Sequence, residues 1–248
     1  NGETTYFASD IAYHSDKFKR GYNKIINIWG ADHHGYLPRV KAAMSAMGED
    51  ITKFEVIFIQ FANLVRGKKK VSMSTREGEF TSLGELIDEV SPEAARFFYI
   101  NRRGNQHLNF DLDLAKEESK DNPLFYVQYA HARICSIFKK VNDENRSYDK
   151  AVALKSLNCL ERKQEVEILQ ALKQFPEVIN KAKDNYEPHL ICYYLRDLAH
   201  SFHSYYSHEK ILVEDTKELQ AKLFMLSAVK QVIFNGLNLL GISSPESM

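Results

Sequence analysis

The stretch Lys24-Ile25-Ile26-Asn27-Ile28-Trp29-Gly30-Ala31-Asp32-His33-His34-Gly35 decides how the first part of the chain is read. Residues 24–29 form a short apolar run that Gly30 breaks, which predicts a buried strand followed by a tight turn. Beyond the turn Val40, Ala43, Met44 and Met47 recur at helical spacing, with Gly48 as the stop. Residues 55–61, Glu-Val-Ile-Phe-Ile-Gln-Phe, read as a second buried strand. Strand, glycine turn, helix and strand make a βαβ unit and imply a parallel sheet. Ligands on such sheets gather at the carboxyl ends of the strands. Gly30–Gly35 holds that position after the first strand, and Arg66–Gly78 follows the second.

From Ser82 onward the pattern is helical. Ser82-Leu83-Gly84-Glu85 has the form of a capping box ahead of Leu83, Leu86, Ile87 and Val90. Ser91-Pro92-Glu93 opens another helix, with proline in the tolerated first turn. Asp121-Asn122-Pro123 caps a third, whose Val127, Ala130, Ile134, Ile137 and Val141 share a face. Further helices are predicted over 161–173, 189–206 and from Asp215 to Leu240, the last with Leu219, Leu223, Leu226, Val229, Ile233 and Leu237 at 3–4 spacing and Gly241 as its stop. Asn142–Asp149 reads as a surface loop. The expected fold is α/β plus all-α: part of a parallel sheet followed by a helical bundle, with residues 79–120 as a helical connector and the boundary near 120.

Composition narrows the function without choosing it. A hydrophobic share of 44% with 12% aromatics supports real cores and excludes disorder. Lys+Arg and Asp+Glu stand at 33 each, so the chain lacks the basic excess with which many nucleic-acid binders declare themselves. A basic face inside a neutral total remains open. Cys135, Cys159 and Cys192 are far apart, which suits free thiols in a reducing compartment better than a metal site or disulfides. With no apolar run near 18 residues and no signal peptide, a soluble cytoplasmic protein without membrane contact is expected. The chain opens at Asn1 without an initiator Met, straight into patterned sequence, which reads as part of a larger fold.

Arg66-Gly67-Lys68-Lys69-Lys70-Val71-Ser72-Met73-Ser74-Thr75-Arg76-Glu77-Gly78 packs five cations, two glycines and several hydroxyls into one segment. Cations and backbone N–H groups at the carboxyl edge of a sheet suit a triphosphate; a solvated basic hairpin is the competing reading. Read from the residues alone, Asp10 is a helix N-cap candidate, because Asp is a favoured cap. Asp32, His33 and His34 follow the strand–glycine turn and could touch a ligand there. A metal is not expected, because adjacent histidines cannot both reach one ion and further ligands are missing.

Met73-Ser74 followed by a cation and a glycine, after a βαβ unit and before Ser82-Leu83-Gly84-Glu85-Leu86-Ile87, resembles the second signature loop of class I aminoacyl-tRNA synthetases, usually Lys-Met-Ser-Lys. Here Ser72 and Thr75 stand at the two lysine positions, so Arg76 and the Lys68–Lys70 cluster are the nearest substitutes. Thr5-Tyr6-x-x-x-Asp10, Gly30-Ala31-Asp32-His33, Asn109-Phe110-Asp111, Asn122-Pro123-x-x-Tyr126-Val127-Gln128-Tyr129-Ala130-His131-Ala132-Arg133 and Gly236–Met248 resemble segments of arginyl-tRNA synthetases, in the same order. The resemblance spans essentially the whole chain.

It implies a Rossmann-type parallel sheet over residues 1–78, its second half, and a helical anticodon-binding domain over 121–248. It implies ATP-dependent activation of L-arginine and transfer to tRNA(Arg), with Mg2+ accompanying ATP and a monomeric enzyme. Tyr6, Asp10 and His33 would hold arginine. Gly30, Asp32, His33, Lys69, Lys70, Met73, Ser74 and Arg76 would meet ATP or the adenylate. Tyr126, Tyr129, Arg133, Phe202, Tyr206 and Met248 would meet tRNA, since unpaired bases stack on aromatic rings. Phe202 is equally a packing residue, and Arg133 equally a salt-bridged one. The family's first signature, His-Ile-Gly-His, would lie upstream, so the chain alone is expected not to form arginyl adenylate. Another class I synthetase and a noncatalytic tRNA-binding module stay open as alternatives.

Overall fold

The computed structural model describes residues 3–67, 69, 70 and 82–248. Two compact units emerge, one holding the residues up to Asn63 together with Arg103–Leu108, the other Leu64–Arg102 and Asn109–Met248.

The first unit is the expected βαβ arrangement preceded by a helix. Helix α1 (Tyr6–Lys19) leads to β1 (Ile25–Gly30), a 3-10 turn over Ala31–Tyr36, α2 (Leu37–Ala46) and β2 (Phe54–Ile59). The strands are parallel and in register from Ile25 opposite Phe54 to Gly30 opposite Ile59. Pro38 occupies the first turn of α2, where its missing N–H costs nothing. Gly48, at φ +82, supplies the left-handed turn after that helix. The core is Ile25, Val40, Met44 and Phe54, with Phe7, Ile11, Phe18, Trp29 and Tyr36 packed around it. Along β1, Ile25 and Asn27 point inward while Ile26 and Ile28 are exposed. Asp10 lies inside α1, whose N-cap is Thr5, so the N-cap reading of Asp10 is ruled out.

The unit boundary falls within β3 (Ala62–Arg66), which is followed by β4 (Lys69–Lys70). These two pair antiparallel, Arg66 opposite Lys69, in a three-stranded sheet of order β4-β3-β5. Helices α3 (Leu83–Val90) and α4 (Pro92–Ile100) precede β5 (Leu108–Asp111), and α5 (Leu112–Lys116) follows it. The capping box at α3 is realised on both sides: Ser82 Oγ accepts from the Glu85 N–H at 3.1 Å, and the Ser82 N–H donates to Glu85 Oε2 at 2.6 Å.

The bundle consists of α6 (Pro123–Asp143), α7 (Lys150–Lys155), α8 (Lys163–Asn185), α9 (His189–His208) and α10 (Thr216–Leu239). Asn122 caps α6 and Asp215 caps α10 through side-chain acceptors. In α10 the residues Leu219, Leu223, Leu226, Val229, Ile233 and Leu237 are all buried, and α6, α7, α8 and α9 pack around it. Helix α8 runs well past the predicted residue 173, through Pro176 to a left-handed Tyr186. Pro176 deprives the helix of one hydrogen bond on its solvent side, while extensive packing of α8 on α9 keeps the helix going.

Candidate functional site

In the first unit the carboxylate of Asp10 enters a cleft of about 510 Å³ shared with Lys17, Asn27, Trp29, His33 and Tyr36. The 3-10 turn after β1 brings Tyr36 back over α1, and its hydroxyl donates to Asp10 Oδ2 at 2.5 Å. Desolvation, followed by that carboxylate, pushes the Tyr36 hydroxyl up to about 12, so it stays a donor. Tyr6, one turn before Asp10, lies 6.5 Å from the Tyr36 ring between centroids and is largely exposed; His33 lies 6.4 Å from Tyr36. Tyr6, Asp10 and His33 therefore gather around one ring.

Behind Asp10 runs a polar chain that sequence reading missed. His14 Nδ1 donates to the Asp10 carbonyl at 2.7 Å, which leaves Nε2 to accept from the Asn27 amide at 2.6 Å. Asn27 Oδ1 in turn accepts from Lys17 at 2.6 Å. A polar Asn27 at an inward position of an apolar strand was the available signal. The cleft thus offers a carboxylate and an ammonium, the complement of a ligand with both signs of charge.

A Cβ at Gly30 would sit 2.5 Å from Asp32 Oδ1, so a larger residue there would make the exposed Asp32 side chain turn aside. Asp32 and His33 form an exposed contact of 3.6 Å, too solvated to contribute much. His34 turns away, its ring stacked on Phe58 at 3.6 Å and its Nδ1 donating to the Ala31 carbonyl. Among the described residues no group of three or more potential metal ligands occurs.

Met73, Ser74 and Arg76 lie outside the described residues. Lys69 is exposed on β4, and Lys70 pairs opposite Val65 in the ladder. On β3, Arg66 reaches Glu89 at 2.7 Å and Asp113 at 3.4 Å, and Lys116 joins Glu89 at 2.8 Å. Lys116 and then Arg66 hold the Glu89 carboxyl below its ordinary range.

In the helical unit Tyr129, Arg133, Tyr206 and Met248 line one pocket of about 610 Å³ together with Lys140 and Lys210. The Arg133 guanidinium lies between two rings, 4.4 Å from the Tyr129 centroid and 4.6 Å from that of Tyr206. Such placements attract a cation to the ring faces. Tyr126 packs beside them on His203, with ring centroids 4.6 Å apart. Met248 arrives from the C-terminal segment, which is pinned to α4 and α6. The Ser243 N–H donates to Glu93 at 2.8 Å, Gln128 donates to the Ser243 carbonyl at 3.0 Å, and His131 donates to the Pro245 carbonyl at 2.9 Å. Met248 and Tyr206 are 53% and 41% exposed, open to a ligand. Phe202 is a correction: it has no exposed surface and is a core residue, unavailable for base stacking.

Residues 127–248 match the DALR anticodon binding domain. The arginine–tRNA ligase of Thioalkalivibrio sulfidiphilus is 54% identical over all 248 residues, and that of Legionella pneumophila strain Corby 50%. In both cases the whole chain aligns, and it spans 42% of the relative's length. A candidate arginyl-tRNA synthetase of Campylobacter jejuni superimposes with a TM-score of 0.87 at 33% identity, covering the whole chain and 53% of that structure. The Thermus thermophilus arginyl-tRNA synthetase shares the fold, with a TM-score of 0.77 at 22% identity, over 50% of its length. The likeness to arginyl-tRNA synthetases therefore runs unbroken from one end of the chain to the other, and the match to the DALR anticodon binding domain lies in the helical unit.

Proposed function

We propose that the protein of which this chain forms a part is an arginine–tRNA ligase, which activates L-arginine with ATP and Mg2+ and transfers it to tRNA(Arg). The observation that carries this reading is the Asp10 carboxylate, oriented by Tyr36 in a cleft edged by aromatic rings. A planar guanidinium with five donors is recognised best by a carboxylate. Tyr6, Asp10 and His33 bind arginine in this proposal. Gly30, Asp32 and His33 contact the adenylate, and Lys69, Lys70, Met73, Ser74 and Arg76 meet the phosphates. Catalysis then rests on positioning and charge stabilisation, without an enzyme nucleophile.

The DALR domain points to a tRNA partner. Tyr126, Tyr129, Arg133, Tyr206 and Met248 are the proposed anticodon contacts. The proposed division is a catalytic part over 1–78, a connector over 79–120 and the anticodon-binding domain over 121–248. A monomeric enzyme acting in the cytoplasm completes the proposal, and no described helix is long and apolar enough to cross a membrane. The test is incorporation of labelled arginine into tRNA by the protein containing this chain, with cysteine and methionine as controls. Charging with either control and not with arginine would assign another class I specificity. Binding of tRNA with no charging would favour a noncatalytic module.

A further inference from the structure

Arg133 is held by more than its two tyrosines. Its Nη2 donates to Tyr129 Oη at 2.9 Å, and its Nη1 lies 3.1 Å from His203 Nδ1. A guanidinium has donors only, so Nδ1 must be the acceptor and carries no proton. The other ring nitrogen, Nε2, lies 3.1 Å from the backbone carbonyl of Tyr126, which only accepts, so Nε2 bears the proton. Both contacts specify one neutral tautomer. His203 is 8% exposed, and its ring lies 5.8 Å from Tyr129 in a stacked arrangement. Among the described residues no ion pair to Arg133 is found, although Glu209 lines the same pocket.

We propose that His203 is a positioning residue for RNA binding: through Nδ1 it fixes the Arg133 guanidinium plane between Tyr129 and Tyr206, where a base or phosphate of the anticodon loop meets it. This rests on the RNA-binding reading of the pocket and adds a residue that itself need not touch RNA. Burial, and then the charges of Arg133 and His200, oppose protonation, with the Tyr126 carbonyl opposing them. The groups facing the ring are Arg133, Tyr126 and Tyr129 from α6, with His200 and Phe202 on its own helix. A second cation at His203 would remove the acceptor and repel the guanidinium.

The experiment is a double-mutant cycle on the full chain, with binding of a tRNA(Arg) anticodon stem-loop followed by fluorescence anisotropy and folding checked by thermal unfolding. His203→Leu is expected to weaken binding about tenfold, the scale of a hydrogen bond to a charged group. In an Arg133→Ala background the same change is expected to add nothing. His203→Asn, which keeps an acceptor near the Nδ1 position, is expected to retain more affinity than leucine and serves if the leucine variant does not fold. If wild type and Arg133→Ala differ but His203→Leu binds like wild type, or if the two losses multiply, the positioning role is overturned while the RNA reading stands. An asparagine variant as weak as Arg133→Ala overturns it as well. If wild type prefers the stem-loop no more than an unrelated hairpin, the RNA reading fails and takes the proposal with it.

Discussion

Tyr205 donates a 2.9 Å hydrogen bond to Glu165, a carboxylate with no exposed surface. Around this pair Arg162 reaches Glu165, Glu209 and Glu218 at 3.3, 3.1 and 2.8 Å, and the buried Lys222 joins Glu218 and the Lys210 carbonyl at 2.8 Å each. The network ties α8, α9 and α10 together. Removing one member strands a buried charge, which costs far more than a surface ion pair yields. Tyr205→Phe is therefore expected to destabilise the chain by about 2 kcal/mol in urea unfolding. An unchanged midpoint would show that Arg162 alone satisfies Glu165.

Acid should weaken the same network. Lys222 first, and then Arg162, hold the Glu218 carboxyl below its ordinary value of 4.5. In the unfolded chain Glu218 takes up its proton at the higher pH. The stabilisation is accordingly complete above the unfolded value and is lost as pH falls through the folded one. Stability measured by urea unfolding is expected to fall on acidification below roughly pH 5, and Glu218→Gln is expected to flatten that slope. A steeper slope in the variant would contradict the assignment.

Gly236 lies in α10, where alanine would ordinarily improve the helix by about 1 kcal/mol. Here a Cβ would come within 2.6, 2.9 and 3.1 Å of three Leu195 atoms, and Leu195 is fully buried. Overpacking should win, so Gly236→Ala is expected to lower stability by about 1–2 kcal/mol. A gain in stability would show that Leu195 can turn aside.

Much of this fold is legible in the residues. The runs at 24–29 and 55–61 have strand length, and Ser82 with Glu85 announces its own cap. Helix α10 has the 3–4 spacing throughout. Less legible is the pairing of Ala62–Arg66 with Leu108–Asp111, because register across forty residues leaves no local periodicity. The helix predicted over 161–173 stops short of the observed end because the packing on α9 that carries α8 through Pro176 is not local in sequence. In the candidate sites, motif positions singled out Asp10, Tyr129 and Arg133, and the structure places the first in a cleft and the other two in the helical pocket. Tyr36 and His203 were invisible, since their roles arise only when a turn and a second helix bring them to a partner.

The proposed arginine pocket makes a sharp expectation. Asp10→Asn removes the charge that would face a guanidinium, so in the protein containing this chain it should raise KM for arginine about 10- to 100-fold. Tyr36→Phe frees Asp10 Oδ2 and should raise it less, without changing KM for ATP. Steady-state charging assays at varied arginine and varied ATP separate the two. An Asp10→Asn enzyme with wild-type KM for arginine would remove this carboxylate from the pocket.

Two aromatic residues four positions apart should behave oppositely. Tyr206→Ala is expected to weaken stem-loop binding about tenfold, the loss of roughly 1–3 kcal/mol of stacking, with little change in melting. Phe202→Ala should cost about 3–5 kcal/mol of stability through the cavity it leaves. Paired anisotropy and urea titrations check both. If Phe202→Ala leaves stability intact, its place in the core is wrong.

The tether that Glu93, Gln128 and His131 impose on residues 243–245 has a practical side. It delivers Met248 to the rim of the Arg133 pocket, so any peptide fused after Met248 must emerge at that opening. An affinity handle placed there would crowd the proposed RNA surface, and a polyhistidine one would add charge to it as pH falls below about 6.5.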